Sequence, residues 1–307
     1  MTSNAKQQTR RLNEMPPPSK RIAIVVPLSS RPGFNDDERQ SMRHLKRHLD
    51  SYDTYMLAPN GMEVEDVGYE VLYFDEKYFG SGSAHAGMQM APEFYETFID
   101  YEYILMYHLD VLVFSDQLIE WCDKGWDYIG APWLPCEETP WVTEPEVGNS
   151  GFALFNVRNC LRVLHSPKYT VNPVKELAKT WASDQPFSSK LKAIPRMARK
   201  LLHRYNNVTK EVSYYLERKR ASDLFWSRQA KHYVPSFRVA NYEDGLAFAF
   251  ETEPRHCFEQ LGHLPFGCHA FERYDRAFWE PYMIGPDEQG ESAQADESTQ
   301  SQPAPRP

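Results

Sequence analysis

Tyr103-Ile104-Leu105-Met106-Tyr107-His108-Leu109-Asp110-Val111-Leu112-Val113-Phe114 decides the fold of this 307-residue chain. Apolar residues fill both sides of one carboxylate. Their Tyr, Ile and Val content marks a β-strand, and a run this apolar marks a strand covered on both faces, as in a parallel sheet. Asp110 lies in the middle. A carboxylate there needs hydrogen bonds, a cation or a water-lined cleft, because burying it alone is very unfavourable. Asp110 is therefore either a site residue or the Asp of a turn between two short strands.

Working outward, Arg21 to Leu28 is a first, wholly apolar strand that breaks at Pro27. Ser29 to Gly33 then forms a loop at the edge where open α/β sheets bind ligands. Asn35 or Asp36 caps a helix to about His48. Tyr52–Leu57 and Tyr69–Asp75 follow as strands, the second ending in Asp75. Strands separated by helices or long connections predict a parallel sheet of βαβ units. Gly80 to Gly87 fails the dinucleotide G-x-G-x-x-G spacing because position 85 is His. It reads as a flexible loop before a helix over Met88–Ile99.

Ser115 is the expected N-cap of the next helix and Gly125 its stop. Trp126 to Trp133 reads as a strand feeding an aromatic, proline-closed loop. Trp133 and Trp141 flank Glu137 and Glu138, an arrangement that either stacks sugar faces or packs on the core. Gly148-Asn149-Ser150-Gly151 precedes a strand. It presents polar groups to a ligand, or it is a glycine bulge. Ser189 to Arg220 is the basic region of a chain with net charge −9. It reads as a solvated helical insertion or as a segment that lies on anionic membrane or a phosphorylated acceptor, with Pro195 interrupting any early helix. Asp223 stands at a helix start, where the dipole alone favours it. His269 stands beside Gly267 and Cys268.

The acidic balance argues against nucleic-acid binding. Five cysteines without a C-x-x-C pair predict reduced thiols. No apolar run approaches the length of a membrane span. Residues 1–20 read as a disordered leader lacking a signal sequence, residues 21–285 as the folded unit and residues 286–307 as a disordered acidic tail. These features predict a cytoplasmic protein, with possible peripheral contact at the inner membrane face.

His108-Leu109-Asp110-Val111-Leu112-Val113, Asp127-Tyr128-Ile129-Gly130-Ala131-Pro132-Trp133, Gly148-Asn149-Ser150-Gly151-Phe152, Ser222-Asp223-Leu224-Phe225-Trp226 and Pro265-Phe266-Gly267-Cys268-His269 together resemble an uncharacterised family of GT-A-like glycosyltransferase domains, distantly similar to glycogenin-like sugar transferases. The resemblance spans about Arg21 to Tyr282. It implies an α/β, Rossmann-related nucleotide-diphospho-sugar transferase fold with a central, mostly parallel sheet. It also implies a nucleotide-sugar donor, a glycan or glycolipid acceptor and a divalent cation, Mn²⁺ or Mg²⁺.

By position, Asp110 matches the second Asp of the family's metal-binding Asp-x-Asp and His108 replaces the first. His269 matches the late His that completes the metal shell. Asn149, Ser150 and Gly151 match the donor-sugar turn, and Pro27, Leu28 and Asp75 the nucleoside end of the sheet. Asp223 matches the acidic residue facing the acceptor hydroxyl, with Trp133 and Trp141 as acceptor contacts. A neutral His in place of Asp weakens attraction for a hard ion. Two rival functions follow: a non-catalytic nucleotide-sugar or carbohydrate binder, and a sugar-phosphate nucleotidyltransferase.

Overall fold

The computed structural model describes residues 12, 14–29, 31, 33–166, 173–183, 186–202 and 221–285. Its centre is a six-stranded sheet in the order β3-β2-β1-β4-β9-β6. The strands are β1 (Lys20–Pro27), β2 (Asp53–Pro59), β3 (Glu70–Phe74), β4 (Tyr101–Tyr107), β6 (Tyr128–Gly130) and β9 (Phe152–Asn156). β1 pairs in parallel with both β2 and β4, and β2 with β3. β9 runs antiparallel to β4 and to β6. A mixed α/β fold with a mostly parallel central sheet is what the apolar runs predict.

The core is built where those runs cross. Ala23 to Val26 and Ile104 to Tyr107 have no solvent exposure. The helix Asp36–Leu49 is fixed by Asn35, whose side chain accepts from the Glu38 N–H while Glu38 reaches back to the Asn35 N–H, a full capping box. It buries Met42, Leu45 and Leu49 against the sheet.

A second sheet positions the site. It has the order β10-β11-β5, with β10 at Ala249–Phe250, β11 at Gly267–Cys268 and β5 at Leu112–Val113. Phe250 aligns with Cys268, and Cys268 with Leu112. Residues just beyond these positions are thereby brought level with one another. A short ribbon of β7 (Pro132–Trp133) and β8 (Glu146–Val147) closes the aromatic loop.

Several local expectations are corrected. The central stretch is two strands, β4 and β5, joined by a turn in which the Val111 N–H donates to His108 O at 3.2 Å. Asp110 is thus a turn residue. Residues 82–87, expected as loop, lie in a helix, Gly82–Gln89, capped by Ser81, and the helix expected over Met88–Ile99 is broken, with Pro92 starting a separate helix, Pro92–Thr97. Ser115 is not an N-cap: the helix Leu118–Asp123 begins after Gln117, and the Ser115 hydroxyl donates to the Gln117 side chain at 3.1 Å. Gly125 does end that helix, at φ +69°.

Helix Phe187–Leu202 runs through Pro195, where an interruption is expected from proline's missing N–H. The rest of the expected basic insertion, 203–220, lies outside the described residues, as does the tail 286–307. The leader lies partly outside them. Its end is not free, since Leu12 is buried in the core and Met15 packs on it. All five cysteines are free thiols. Among the described residues no helix is long and apolar enough to cross a membrane.

Candidate functional site: a His-Asp-His cluster over a glycine turn

β4 delivers His108 to the carboxyl edge of the main sheet, and its N–H donates to Gly151 O at 2.9 Å. Two residues on, the Asp110 carbonyl accepts from the Phe271 N–H at 3.2 Å, tying the turn to the second sheet. That sheet delivers His269, just past β11, whose N–H donates to Phe250 O at 2.9 Å. Glu251 follows β10 one residue after Phe250. Four side chains from two distant parts of the chain, His108 with Asp110 and Glu251 with His269, therefore converge through strand register.

Nitrogen or oxygen atoms of His108, Asp110 and His269 all lie within 4.8 Å of one another. His269 Nε2 is 3.4 Å from Asp110 Oδ1. His108 Nε2 and Asp110 Oδ1 are buried without a hydrogen bond, as is Nε2 of His85. Such orphaned atoms are rare in folded proteins and mark a place where another group belongs. The three imidazoles form a row, with ring centroids 5.5 Å apart for His85–His108 and 5.8 Å for His108–His269.

The turn beneath is shaped for these rings. A Cβ on Gly151 would lie 2.1 Å from His269 Nε2 and 2.9 Å from His108 Nδ1, so only glycine leaves both rings in place. Asn149 Oδ1 accepts from the Gly151 N–H at 2.8 Å and fixes the turn. Its Nδ2 donates to Glu251 Oε1 at 2.6 Å, and the same oxygen is 3.1 Å from His269 Nδ1. From outside, the Tyr128 hydroxyl donates to Asn149 O at 2.8 Å.

The charges follow from burial. Desolvation drives His108 down to about 3, against the pull of Asp110 and with help from the neighbouring His269 and His85. It also lowers His85. His269 is opposite: burial opposes its charge, but Asp110, then Glu251 and Glu272, outweigh it and raise it to about 9. Ligand-free, the cluster holds one imidazolium beside a carboxylate and one neutral imidazole. Two nitrogen donors and one carboxylate suit a divalent ion such as Mn²⁺ better than Mg²⁺, which prefers all-oxygen shells. The orphaned donors and the missing Cβ at Gly151 fit such an ion.

Asp223 opens the helical stretch Ser222–Leu224, which continues as a π-helix over Phe225–Gln229. Burial raises its carboxyl; Glu251 raises it further and His269 lowers it, so all three share one electrostatic neighbourhood. Ser222 anchors this stretch. Its hydroxyl donates to Gln89 Oε1 at 2.7 Å, Gln89 Nε2 donates to Ser150 O at 2.9 Å, and the two serine hydroxyls are 3.1 Å apart. The glycine turn and the Asp223 segment are thus held by one buried amide.

A cleft of about 270 Å³ opens beside the cluster. Pro27, Ser29, Asp37, His85, His108 and Asp110 are among the residues that line it.

A family model described as "Protein of unknown function (DUF5672)" matches residues 68–269. The chain belongs to the DUF5672 family. No curated protein matches it. Among solved structures it is similar to the apo form of the glycosyltransferase GlyE of Streptococcus pneumoniae TIGR4, at 14% identity and a TM-score of 0.35, with 86% of this chain and 60% of that chain covered. It is also similar to apo mouse xyloside xylosyltransferase 1, at 13% identity and a TM-score of 0.37, with 81% and 97% covered. The chain thus spans about 60% of the length of GlyE.

The DUF5672 segment contains His108, Asp110, Asn149, Ser150, Gly151, Asp223 and His269, which the fold brings together. It also contains Glu251 and His85, which sequence reasoning missed as site residues. Neither has a motif of its own; only the failed glycine spacing drew attention to position 85. Pro27 lines the cleft, while Leu28 is buried and lines a small adjoining pocket.

Two assignments are corrected. Asp75 is exposed and caps the turn Glu76–Tyr78, accepting from the Lys77 N–H at 3.0 Å, and it does not line the cleft. Trp133 is buried, with its ring filling the space over Gly148, so its faces are not available to a sugar. Trp141 is 54% exposed. Asp127 is structural: its Oδ2 accepts from the Arg238 N–H at 2.7 Å and its Oδ1 from Asn159 Nδ2 at 2.5 Å.

Proposed function

We propose that this DUF5672 protein is a glycosyltransferase of GT-A-like fold. It moves a sugar from a nucleotide-diphosphate sugar to a hydroxyl of a glycan or glycolipid. The observation that carries this reading is the His108–Asp110–His269 cluster, opening on a cleft at the carboxyl edge of the sheet, with the half-buried carboxyl of Asp223 in the same electrostatic field. His108, Asp110 and His269 would hold Mn²⁺ or Mg²⁺. When bound, the ion offsets charge gathering on the departing diphosphate.

The chain's own groups do the rest. Ser150 faces the donor sugar from a turn held by Asn149, Glu251 and Gln89; the Asn149 amide is spent inside that turn. Trp141 offers an exposed face to the acceptor. In an inverting reaction the acceptor oxygen bonds to the anomeric carbon and the bond from that carbon to the diphosphate oxygen breaks. The acceptor proton passes to Asp223. Burial raises this carboxyl and makes it a better base than an exposed Asp. In a retaining reaction Asp223 orients the acceptor. The helices Pro173–Ala182 and Phe187–Leu202, with their lysines and exposed apolar residues, would carry the enzyme to an anionic membrane face.

The test is thermal denaturation with nucleoside diphosphates and nucleotide sugars, each with Mn²⁺, Mg²⁺ or EDTA. A ligand at about 100 times its Kd adds about 2.7 kcal/mol. A metal-dependent upward shift with one nucleotide, lost in Asp110→Ala, is expected. No shift with any nucleotide overturns the donor. A shift without transfer to any glycan acceptor leaves a binding protein.

A further inference from the structure

Glu251 is 8% exposed, lies 102 residues from Asn149, and no sequence motif singles it out. It touches neither the cleft nor the Asp110 carboxylate through any hydrogen bond. Its Oε1 instead meets two groups at once: Asn149 Nδ2 at 2.6 Å and His269 Nδ1 at 3.1 Å. A buried carboxylate is costly unless it accepts strong hydrogen bonds, and these two donors supply them.

Each donor has a second task. Asn149 turns its Oδ1 to the Gly151 N–H, which holds the glycine under both imidazoles. His269 turns its other nitrogen, Nε2, toward Asp110 Oδ1 at 3.4 Å. Asn149 Nδ2 is also 2.9 Å from His269 Nδ1; with both nitrogens donating to Glu251 Oε1, this edge is a contact between two donors that the shared carboxylate holds together.

We propose that Glu251 is the positioning residue of this centre: its Oε1 accepts the Nδ1–H of His269, which leaves Nε2 as the nitrogen that faces Asp110, and through Asn149 it fixes the glycine turn beneath. The inference rests on the divalent-ion reading of the site and not on the sugar donor. A carboxylate that accepts the far N–H of a ligating His fixes its tautomer and ring angle and makes the near nitrogen more basic. Losing such a partner weakens ion affinity by about 10–100-fold. Glu251 also explains how two neutral imidazoles and one carboxylate can hold a divalent ion, because its negative charge lies one imidazole away.

The experiment measures Mn²⁺ binding to the full chain by the electron paramagnetic resonance of free Mn²⁺. It is run on the unaltered protein and on Glu251→Ala, Glu251→Gln, His269→Ala and the double variant Glu251→Ala/His269→Ala. The expected result is about a 10–100-fold weaker Kd for Glu251→Ala and a smaller loss for Glu251→Gln, which keeps the shape and one acceptor. In the His269→Ala background, removing Glu251 is expected to weaken Kd by less than in the unaltered protein, because only the route through Asn149 and the glycine turn is left.

Binding by the unaltered protein with no change in Glu251→Ala overturns the inference alone. So does an equal loss from Glu251→Ala with and without His269, which is what general loosening of the fold produces. Absence of Mn²⁺ binding by the unaltered protein overturns the ion reading and this inference with it. Should Glu251→Ala fail to fold, the same cycle is run with Glu251→Gln.

Discussion

His269 Nε2 lies 3.4 Å from Asp110 Oδ1, and it is the same nitrogen that a Cβ at position 151 would approach to 2.1 Å. The glycine turn before β9 and the His after β11 therefore compete for one volume. The site exists because residue 151 has no side chain. Gly151→Ala is expected to push the His269 and His108 rings apart, destabilise the fold by about 1–3 kcal/mol as overpacking does, and weaken Mn²⁺ binding at least as much as loss of Glu251. Chemical denaturation and Mn²⁺ titration of the same variant check both parts. Unchanged Mn²⁺ affinity would show that the rings do not need this space.

Asp223→Asn separates binding from chemistry. The variant keeps the shape and the acceptor oxygen that the Leu224 N–H uses, at 2.7 Å, but cannot take a proton. Transfer is expected to fall by about 10²–10⁴-fold if Asp223 is the general base. The metal-dependent thermal shift with the donor nucleotide should persist. A loss of that shift instead would place Asp223 in donor binding.

His44 should make stability fall in mild acid. It is buried and neutral, its Nδ1–H donating to Val113 O at 2.8 Å while its Nε2 accepts from the Ile284 N–H at 3.3 Å. Burial lowers it to about 4, so between that value and about 6.5 the unfolded chain binds more protons than the folded one. The stabilisation is complete above the unfolded value and is lost as pH falls toward the folded one, to a limit of roughly 3 kcal/mol. His269 has the opposite sign: raised to about 9, it stabilises the ion-free protein fully below about 6.5 and loses that contribution as pH rises through the folded value. Urea midpoints from pH 4.5 to 9 should peak between the two windows. The acid limb should flatten in His44→Gln; an unaltered limb would assign the acid loss to other groups.

The exposed face of the helix pair gives a fourth expectation. Phe187, Leu191 and Ile194 recur at helical spacing and are 65%, 47% and 41% exposed, with Trp181 of the preceding helix edge-on to Phe187 at 6.2 Å. Replacing the three by Ser should abolish co-sedimentation with vesicles rich in phosphatidylserine while leaving the nucleotide-induced thermal shift intact. Equal binding to neutral vesicles, or binding unchanged in the variant, would remove the anionic membrane as partner.

Much of the frame was legible in the sequence because it is written in local patterns. Apolar runs gave β1, β2 and β4 to within a residue or two at most ends, and Asn35 announced its helix. Local signals failed where a rival local signal was as strong. Ser81 outweighed the glycines that follow it and made helix of an expected loop. Ser115 turned its hydroxyl to Gln117 and capped nothing. The two readings of Trp133, sugar platform or core packing, are equal in sequence, and the bare backbone of Gly148 beneath its ring decides for packing.

The sequence by itself determined the mixed α/β class, the position of the glycine turn and the oddness of a carboxylate in an apolar run. Burial period and turn chemistry act between near neighbours and leave marks a single stretch can carry. Only the tertiary structure decided that Asp110 is a turn residue pointing at His269, that His85 stands in line with His108, and that Glu251 holds both Asn149 and His269. Those contacts are set by the register of β10, β11 and β5. A carboxylate whose partner lies 102 residues away has no local energetic reason to look different from any other.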